Sequence, residues 1–290
     1  MWDRHCNIRF MTLVDVVNRH RDDLSPAERR VVDVLLAHPD SVAFGTVAAV
    51  AEQAHTSGAT VVRLADHLGF EGYRGLQASV QAELSDRLRP AAERIRERPA
   101  NDVVGRSLAD GLANIEASLA SVDRASVRSV AALLAAPSRR VWVITGSADR
   151  AVAALLVDRL GMLRDDVESL SGDEVSVAAL LSRVRKGNVV IAVDLRRYER
   201  WVVATATAAA GRGARIIAIT DSPLAPLARL AEHTFTVTAD ASGPFDSVLA
   251  TVAIAEMLIS AVAARLRPRA TARLSAVEAA WRTAAVLRDS

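Results

Sequence analysis

The side chains best suited to bind or transform a small molecule lie directly after short runs of apolar, β-rich residues. Gly146, Ser147 and Asp149 follow the run VWVIT. A loop of small residues that enters a helix presents backbone N–H groups to an anion, although Asp149 adds a negative charge at the same place. The alternative is a plain strand-to-helix turn in which Asp149 caps the helix.

Two further groups of charged residues stand in equivalent positions. Asp194, Arg196 and Arg197 follow the run VVIAV, and Asp221 and Ser222 follow the run RIIAIT. Because guanidinium groups bind phosphate or carboxylate through paired hydrogen bonds, the arginines predict a clamp for an anion. A solvated charge run, or arginines at a subunit interface, fits the same pattern. Ser222 is equally suited to cap a following helix.

Catalysis by these residues is not indicated. Isomerisation of a sugar phosphate needs an acid/base pair, and Asp149, Asp194 and Asp221 are candidates by position, but nothing in the sequence indicates a raised pKa or a pairing. No nucleophile with a base and no cluster of metal ligands stands out, and Cys6 is the only cysteine. We therefore predict no catalytic residue, no metal and no cofactor.

A second kind of chemistry, the recognition of DNA, is predicted for residues 46–68, TVAAVAEQAHTSGATVVRLADHL. Thr46 and Ser57 are suited to cap two short helices. In the second helix an apolar stripe faces inward, and polar side chains lie on the opposite face, as in a helix that enters the major groove. An ordinary helical hairpin packed in a core is the alternative. The predicted DNA-contacting residues are Thr46, Ser57, Thr60, Arg63, His67 and Arg74.

The elements that must position these residues differ between the two halves of the chain. Ser25, Pro26 and Glu28 predict a capping box at the start of a helix, and the first 88 residues are helical by pattern. From residue 139 onward, apolar runs at 141–145, 189–193 and 215–220, with weaker ones near 167 and at 234–237, alternate with helical patterns. Strands without polar alternation are buried on both faces. The predicted fold is therefore an all-α domain followed by a doubly wound, five-stranded parallel α/β domain.

Length and composition fit this division. The 290 residues suggest two domains, and the hydrophobic share of 51% with only 4% aromatics favours helices and parallel strands. The predicted boundaries are 11–88 for the helical domain, 89–123 for a helical linker, 124–267 for the α/β domain and 268–290 for a tail. Residues 1–10 are interpreted as an upstream-start extension. Charges interrupt every apolar run before it reaches the roughly 18 residues of a membrane span, so we expect no membrane partner and, with one cysteine, a cytoplasmic location.

Three motifs carry a resemblance to a known family. LSPAERRVVDVLLAHP, ATVVRLADHLGFEGYRGLQ and GARIIAITDSPLAPLARLAEHTF occur in the order and spacing of the RpiR-type bacterial transcriptional regulators, which join a helix-turn-helix domain to a SIS (sugar isomerase) domain. The resemblance implies operator binding as a homodimer or homotetramer and sensing of a metabolite, often a phosphosugar. His55 stands where the turn of such motifs usually has glycine, and Asp149, Asp194, Arg196 and Arg197 stand where SIS domains hold phosphate with hydroxyl groups.

Taken with these residues, the resemblance implies a regulator of catabolic genes that binds double-stranded operator DNA and a small anionic effector, either a sugar phosphate or a carboxylate. The predicted effector-binding residues are Gly146, Ser147, Asp149, Asp194, Arg196, Arg197, Asp221 and Ser222. Two alternatives stay open: a sugar-phosphate isomerase of the SIS type, and a regulator whose SIS domain only oligomerises.

Overall fold

The structure, a computed structural model, describes residues 13–20, 23–37, 39–88, 91–97, 102–223 and 225–286. The predicted extension at residues 1–10, together with Cys6, lies outside the described residues. The chain divides into two compact units, residues 1–89 and 90–290.

The first unit is helical throughout its described part. Its helices are α1 (Leu13–His20), α2 (Pro26–Ala37), α3 (Pro39–Phe44), α4 (Val47–Gln53), α5 (Gly58–His67) and α6 (Gly72–Leu88). The predicted capping box begins α2: the Ser25 backbone N–H donates to Glu28 Oε2 at 2.8 Å, and the Glu28 N–H donates to Ser25 Oγ at 3.3 Å. Leucine, valine and alanine side chains from all six helices form one buried core.

The second unit contains α7 (Ala91–Glu97), α8 (Val103–Ala120) and α9 (Arg124–Ala135), and then strands and helices in alternation. These are β1 (Val141–Thr145), α10 (Arg150–Leu163), β2 (Val167–Ser169), α11 (Glu174–Leu181), β3 (Val189–Val193), α12 (Arg200–Gly211), β4 (Arg215–Thr220), β5 (His233–Thr236), α13 (Leu249–Arg265) and α14 (Arg267–Thr283). The five strands are parallel in the order β2-β1-β3-β4-β5, which confirms the predicted doubly wound sheet.

Helices cover both faces of the sheet. Alternate strand residues such as Val143 and Ile191 pack into a core with α9, α10 and α13. Their neighbours, such as Trp142 and Val190, point the other way into a core with α12. Burial on both faces explains why β1 and β3 are continuous apolar runs.

Residues 89–123, predicted as a linker, include α8, which packs against the sheet unit. Its Asn114 side chain donates to the Asp240 carbonyl at 2.6 Å, and the Thr238 N–H donates to Ser118 Oγ at 2.8 Å. Among the described helices, none is by itself long and apolar enough to cross a membrane; only the bent pair α13 and α14 meets that test jointly, by length and composition.

Candidate ligand site and nucleic-acid interface

The carboxyl ends of β1, β3 and β4 bring three loops together. The connection after β1 leads to α10 on one face of the sheet, and the connection after β3 leads to α12 on the other. Adjacent parallel strands whose connections diverge in this way form a topological switch point, where ligands bind in doubly wound sheets. We call the loops 145–150, 194–200 and 220–222 the strand-end site.

A carboxylate of the chain itself lies against the loop after β1. Glu199 Oε1 accepts a short hydrogen bond from the Ser147 backbone N–H, and Glu199 Oε2 accepts one from the Trp201 indole at 2.5 Å. A Cβ on Gly146 would lie 2.8 Å from Asp194 Oδ1 and 3.1 Å from Glu199 Oε1. Glycine therefore lets both carboxylates approach this loop. The backbone donor predicted to meet an anionic ligand already binds Glu199, a residue that the sequence analysis did not single out.

Asp194 is buried at the end of β3, with 3% of its surface exposed. Its Oδ2 accepts the Glu199 backbone N–H at 2.8 Å. Burial, together with the charges of Glu199, Asp149 and Asp221, raises the pKa of Asp194 to about 7, although the backbone hydrogen bond from Glu199 acts in the opposite direction. The carboxyl group therefore titrates near neutral pH.

Asp149 is equally buried, with 3% exposed, and precedes α10 without capping it through its side chain. Burial, and to a lesser extent the charges of Asp246, Glu199 and Asp221, raise its pKa to about 6. The alternative interpretation of Asp149 as a helix cap is wrong. The sequence showed neither of these raised pKa values, because both arise from residues brought together only by the fold.

Arg196 does not form the predicted open anion clamp. Its Nη2 donates to Asp240 Oδ1 at 2.8 Å, its Nε lies 3.7 Å from Asp221 Oδ2, and its Nη1 lies 4.0 Å from Asp246 Oδ1. Asp246 also accepts a hydrogen bond from Arg94 at 2.6 Å. Three carboxylates thus compensate the guanidinium charge. Asp240 and Asp246 come from the loop before α13, and no short-range sequence signal connects them with residue 196.

The remaining predicted residues of this site differ in exposure. Arg197 is exposed and has a positive φ of 66°. Ser222 is fully buried, and the described residues that follow it form turns where a helix was expected. Asp221 is held by the Tyr198 hydroxyl, which donates to its Oδ1 at 2.9 Å. The structure therefore brings Asp149, Asp194 and Asp221 together and leaves Arg197 at the rim.

In the first unit, α4 and α5 form the predicted pair of short helices. Thr46 Oγ1 accepts the Ala49 N–H at 3.2 Å, and Ser57 Oγ accepts the Thr60 N–H at 3.3 Å. Both residues therefore cap their helices, as the sequence predicted.

The turn between them is closed around His55. Its φ is 49°, its N–H donates to the Glu52 carbonyl at 3.0 Å, and the Thr56 N–H donates to the Ala51 carbonyl at 2.9 Å. These two bonds define a Schellman motif with histidine at the position that favours glycine. Arg30 of α2 donates to the carbonyl of Ala54 at 3.2 Å and so holds the turn from outside.

One predicted DNA-facing residue of α5 does not face outward. Thr60 is only 5% exposed, and its Oγ1 lies 3.0 Å from Ser57 Oγ and accepts from Arg63 Nη2 at 3.3 Å. Thr60 is the third residue of α5, and its hydroxyl is directed back to the capping Ser57 in the first turn. Arg63 is exposed, together with Ala59 and Val62, which the sequence analysis overlooked although they share its helical face.

His67 and Arg74 are both exposed, but they lie in different surroundings. His67 Nδ1 lies 3.3 Å from Glu28 Oε1 of α2, so this side chain connects the end of α5 to the capping box. Arg74 lies near the start of α6. Gln77, one turn further along that helix, donates to the Val42 carbonyl at 2.9 Å and fixes α6 against α3.

Two family models match the chain. The helix-turn-helix domain of the rpiR family matches residues 11–87, and the SIS domain matches residues 134–261. Among curated proteins, the chain is 23% identical over 233 residues to the transcriptional regulator HexR of Escherichia coli K12, covering 79% of this chain and 78% of HexR. It is 33% identical over 70 residues to the uncharacterized regulator YbbH of Bacillus subtilis 168, and that match spans 24% of this chain and only 25% of YbbH.

Two solved structures share the fold. The sugar isomerase domain of an RpiR transcription factor from Sphaerobacter thermophilus is 26% identical with a TM-score of 0.57, covering 61% of this chain and 99% of that one. The NanR protein of Vibrio vulnificus, solved in complex with ManNAc-6P, is 20% identical with a TM-score of 0.56, covering 94% of this chain and all of NanR. The capped helix pair, the sheet order and both family matches lead to one conclusion: the chain belongs to the RpiR family of transcriptional regulators, with a helix-turn-helix domain followed by a SIS domain.

Proposed function

We propose that this regulator reads operator DNA with the exposed face of α5. The observation that carries the proposal is the division of that helix into two faces. Val61, Leu64 and Ala65 are buried in the core of the unit, whereas Val62 and Arg63 are exposed together on one side. Arginine binds guanine edges or phosphates, and a small apolar side chain contacts the methyl group of thymine. Ser57 and Arg74 contribute phosphate contacts beside them.

The test is selection of duplexes from a randomised DNA library by the full chain, followed by fluorescence anisotropy on the selected site. We expect Arg63→Ala to weaken binding by about tenfold or more, because a good arginine contact contributes about 1–3 kcal/mol. Arg212→Ala, at an exposed position after α12, is the matched control and leaves affinity unchanged. Failure to select any sequence at low salt, or equal affinity of Arg63→Ala and the original chain, contradicts the proposal.

Operator binding also requires two copies of the chain, and α8 offers the surface for them. Val104, Leu108 and Leu112 follow one another at helical spacing and are 81%, 62% and 61% exposed. Phe245 and Leu249, 74% and 48% exposed, are apolar residues of the same unit. Contiguous exposed apolar patches mark interfaces, and homodimers are the commonest assembly. Residues 1–90 carry 10 Arg against 12 Asp and Glu, so a single copy offers DNA little net attraction.

Light scattering on the full chain tests this assembly. We expect the original chain to be a dimer or tetramer, and Leu108→Asp to yield monomers because the added charge would be buried between copies. Val175→Asp is the control, since Val175 of α11 is 80% exposed but is not part of the α8 surface. A monomeric original chain, or an unchanged mass for Leu108→Asp, contradicts this assignment.

The SIS domain is proposed to bind a small carbohydrate-derived effector at the strand-end site and thereby to control catabolic genes from within the cytoplasm. Support comes from the switch-point geometry and from NanR, a protein of the same fold that was solved with ManNAc-6P. An acid group on such an effector has to compete with Glu199 for the Ser147 N–H.

A second function, sugar-phosphate isomerisation, is favoured by one observation. The pKa values of about 6 for Asp149 and about 7 for Asp194 suit groups that exchange protons at neutral pH. We nevertheless propose that the chain does not catalyse turnover, because Glu199 occupies the backbone donor that a substrate phosphate would need. Conversion of an aldose phosphate to a ketose phosphate, abolished by Asp194→Asn, would overturn this part of the proposal.

A further inference from the structure

The strand-end site holds more carboxylates than cations. The charges of Glu199 and Asp221 act on both Asp149 and Asp194. Asp246 also acts on Asp149, and Asp149 acts on Asp194. The charged groups described around the site are the carboxylates of Asp149, Asp194, Glu199, Asp221, Asp240 and Asp246 and the cations Arg94, Arg150, Arg196, Arg197 and Arg200. Arg197 and Arg200 are exposed.

Three of these cations, Arg94, Arg150 and Arg196, act on carboxylates other than Asp149 and Asp194. Arg196 is shared among Asp221, Asp240 and Asp246, and Arg94 also pairs with Asp246. Arg150 stabilises the charged form of Glu199. Among the described residues, none forms an ion pair with Asp149 or Asp194.

Asp149 is the carboxyl group of the site with the fewest partners. It is 97% buried, being 3% exposed, and its side chain makes no hydrogen bond or ion pair to any described residue. Its strongest electrostatic neighbours are three acids: Asp246, Glu199 and Asp221. Because no described residue donates to this largely buried carboxyl group, it is suited to a donor that arrives from outside the chain.

The donor is better identified as an organic cation than as a metal ion. Within the described part of the chain, no three carboxyl, imidazole or thiol groups are grouped so that they could hold a metal ion. An ammonium group has three N–H donors, enough to bind the carboxyl groups of Asp149 and Asp194 together, and its charge offsets one of their two negative charges.

We propose that the strand-end site binds its effector through a protonated primary amine held by the carboxylates of Asp149 and Asp194. This inference rests on the proposed role of the site in effector binding and specifies the group that is recognised. The effector class is an amino sugar or a similar amine-bearing polyol, whatever other groups it carries.

The sign of the pH dependence separates this inference from binding of a bare anion. An ammonium group needs both carboxylates ionised, and their pKa values of about 6 and about 7 mean that ionisation is completed only above neutral pH. Amine binding therefore strengthens as the pH rises through this range. Binding of a phosphate without an amine weakens, because the added negative charges of the site repel it.

The experiment uses the full chain and four related sugars: glucose, glucosamine, glucose 6-phosphate and glucosamine 6-phosphate. Calorimetry at about pH 7.5 should give tighter binding for each amine than for its partner without the amine, by about tenfold or more, and this difference should shrink at about pH 5.5. Asp149→Asn should remove the preference for the amine, whereas Asp158→Asn, at an exposed position of α10, should keep it.

The inference is overturned if the sugars with and without an amine bind equally, if those without an amine bind more tightly, or if none of the four binds. Operator affinity of the same preparation is measured separately by anisotropy. Operator binding without an amine preference rejects the inference and leaves the proposed regulator standing. An amine preference without operator binding rejects the proposed DNA reading alone.

Discussion

Replacing Asp194 by asparagine tests the charge at the strand-end site through stability alone. The pKa of this buried carboxyl is about 7 in the folded chain, against 3.8 for the ordinary group. The folded chain therefore retains a proton that the unfolded chain has released. For a carboxyl with a raised pKa, folding is favoured at low pH, and stability is lost as the pH rises from the ordinary value to the folded one. Asparagine keeps an oxygen that accepts the Glu199 N–H and cannot ionise.

The magnitude follows from the two pKa values. Between 3.8 and about 7, each pH unit should add about 1.4 kcal/mol to the stability of Asp194→Asn relative to the original chain. The gain should be small near pH 4, reach roughly 4 kcal/mol at about pH 7, and stay level above it.

Urea unfolding across this pH range, followed by tryptophan fluorescence to which the fully buried Trp142 in β1 contributes, measures the gain. The same amide exchange at the exposed Asp158 is the control and should change stability by less than about 0.5 kcal/mol at every pH. A gain that does not vary with pH, or a loss of stability at about pH 8, refutes the assignment of a neutral, buried carboxyl to Asp194.

Three further substitutions have definite expected effects, each measured by urea unfolding of the full chain. His55→Gly should stabilise the chain by about 0.5–1 kcal/mol because glycine accepts a positive φ such as the 49° found there, and a loss of stability contradicts the turn geometry. Gly146→Ala should destabilise it by about 1–2 kcal/mol, since the added Cβ lies 2.8 Å from Asp194 Oδ1, and an unchanged stability would show that the two carboxylates do not lie against the loop. Arg164→Met should cost about 2–4 kcal/mol, because the buried guanidinium donates to the carbonyls of Leu134, Ala136 and Arg139, and a neutral outcome means that other groups satisfy these carbonyls.

The parts of the fold that depend on residues close together in the sequence were predictable. The capping box of Ser25 and Glu28 needs only a spacing of three, and it closes as expected. β1 and β3 are apolar without alternation, and that pattern alone indicates strands buried on both faces. The switch point then follows from the right-handed connections of parallel strands, so the loops that meet at the strand-end site could be named in advance.

The contacts within the site join residues that are far apart in the sequence, so they could not be predicted from it. Arg196 meets Asp240 and Asp246, more than 40 residues away, and those partners turn an apparent clamp into a compensated charge. The pKa of Asp149 rises because the fold removes water from it and surrounds it with acids. Thr60 was predicted to face outward, yet it lies one helical turn before the buried Leu64, and its hydroxyl lies 3.0 Å from that of the capping Ser57. Helical periodicity predicts the side of the helix on which a residue lies, but it does not predict the rotamer of its side chain or its hydrogen-bond partner.

The hydrogen bond between Glu199 and the Ser147 N–H has a consequence for selectivity among metabolites. Cells hold many phosphorylated sugars at once, and a cradle of free backbone donors would accept most of them. A tethered carboxylate competes at a high effective concentration that no dilution can lower, so every phosphate ester must displace it before binding. The apparent dissociation constant of such esters is raised by the fraction of time that Glu199 holds the loop. For the effector site proposed above, Glu199 is therefore expected to select against simple phosphate esters.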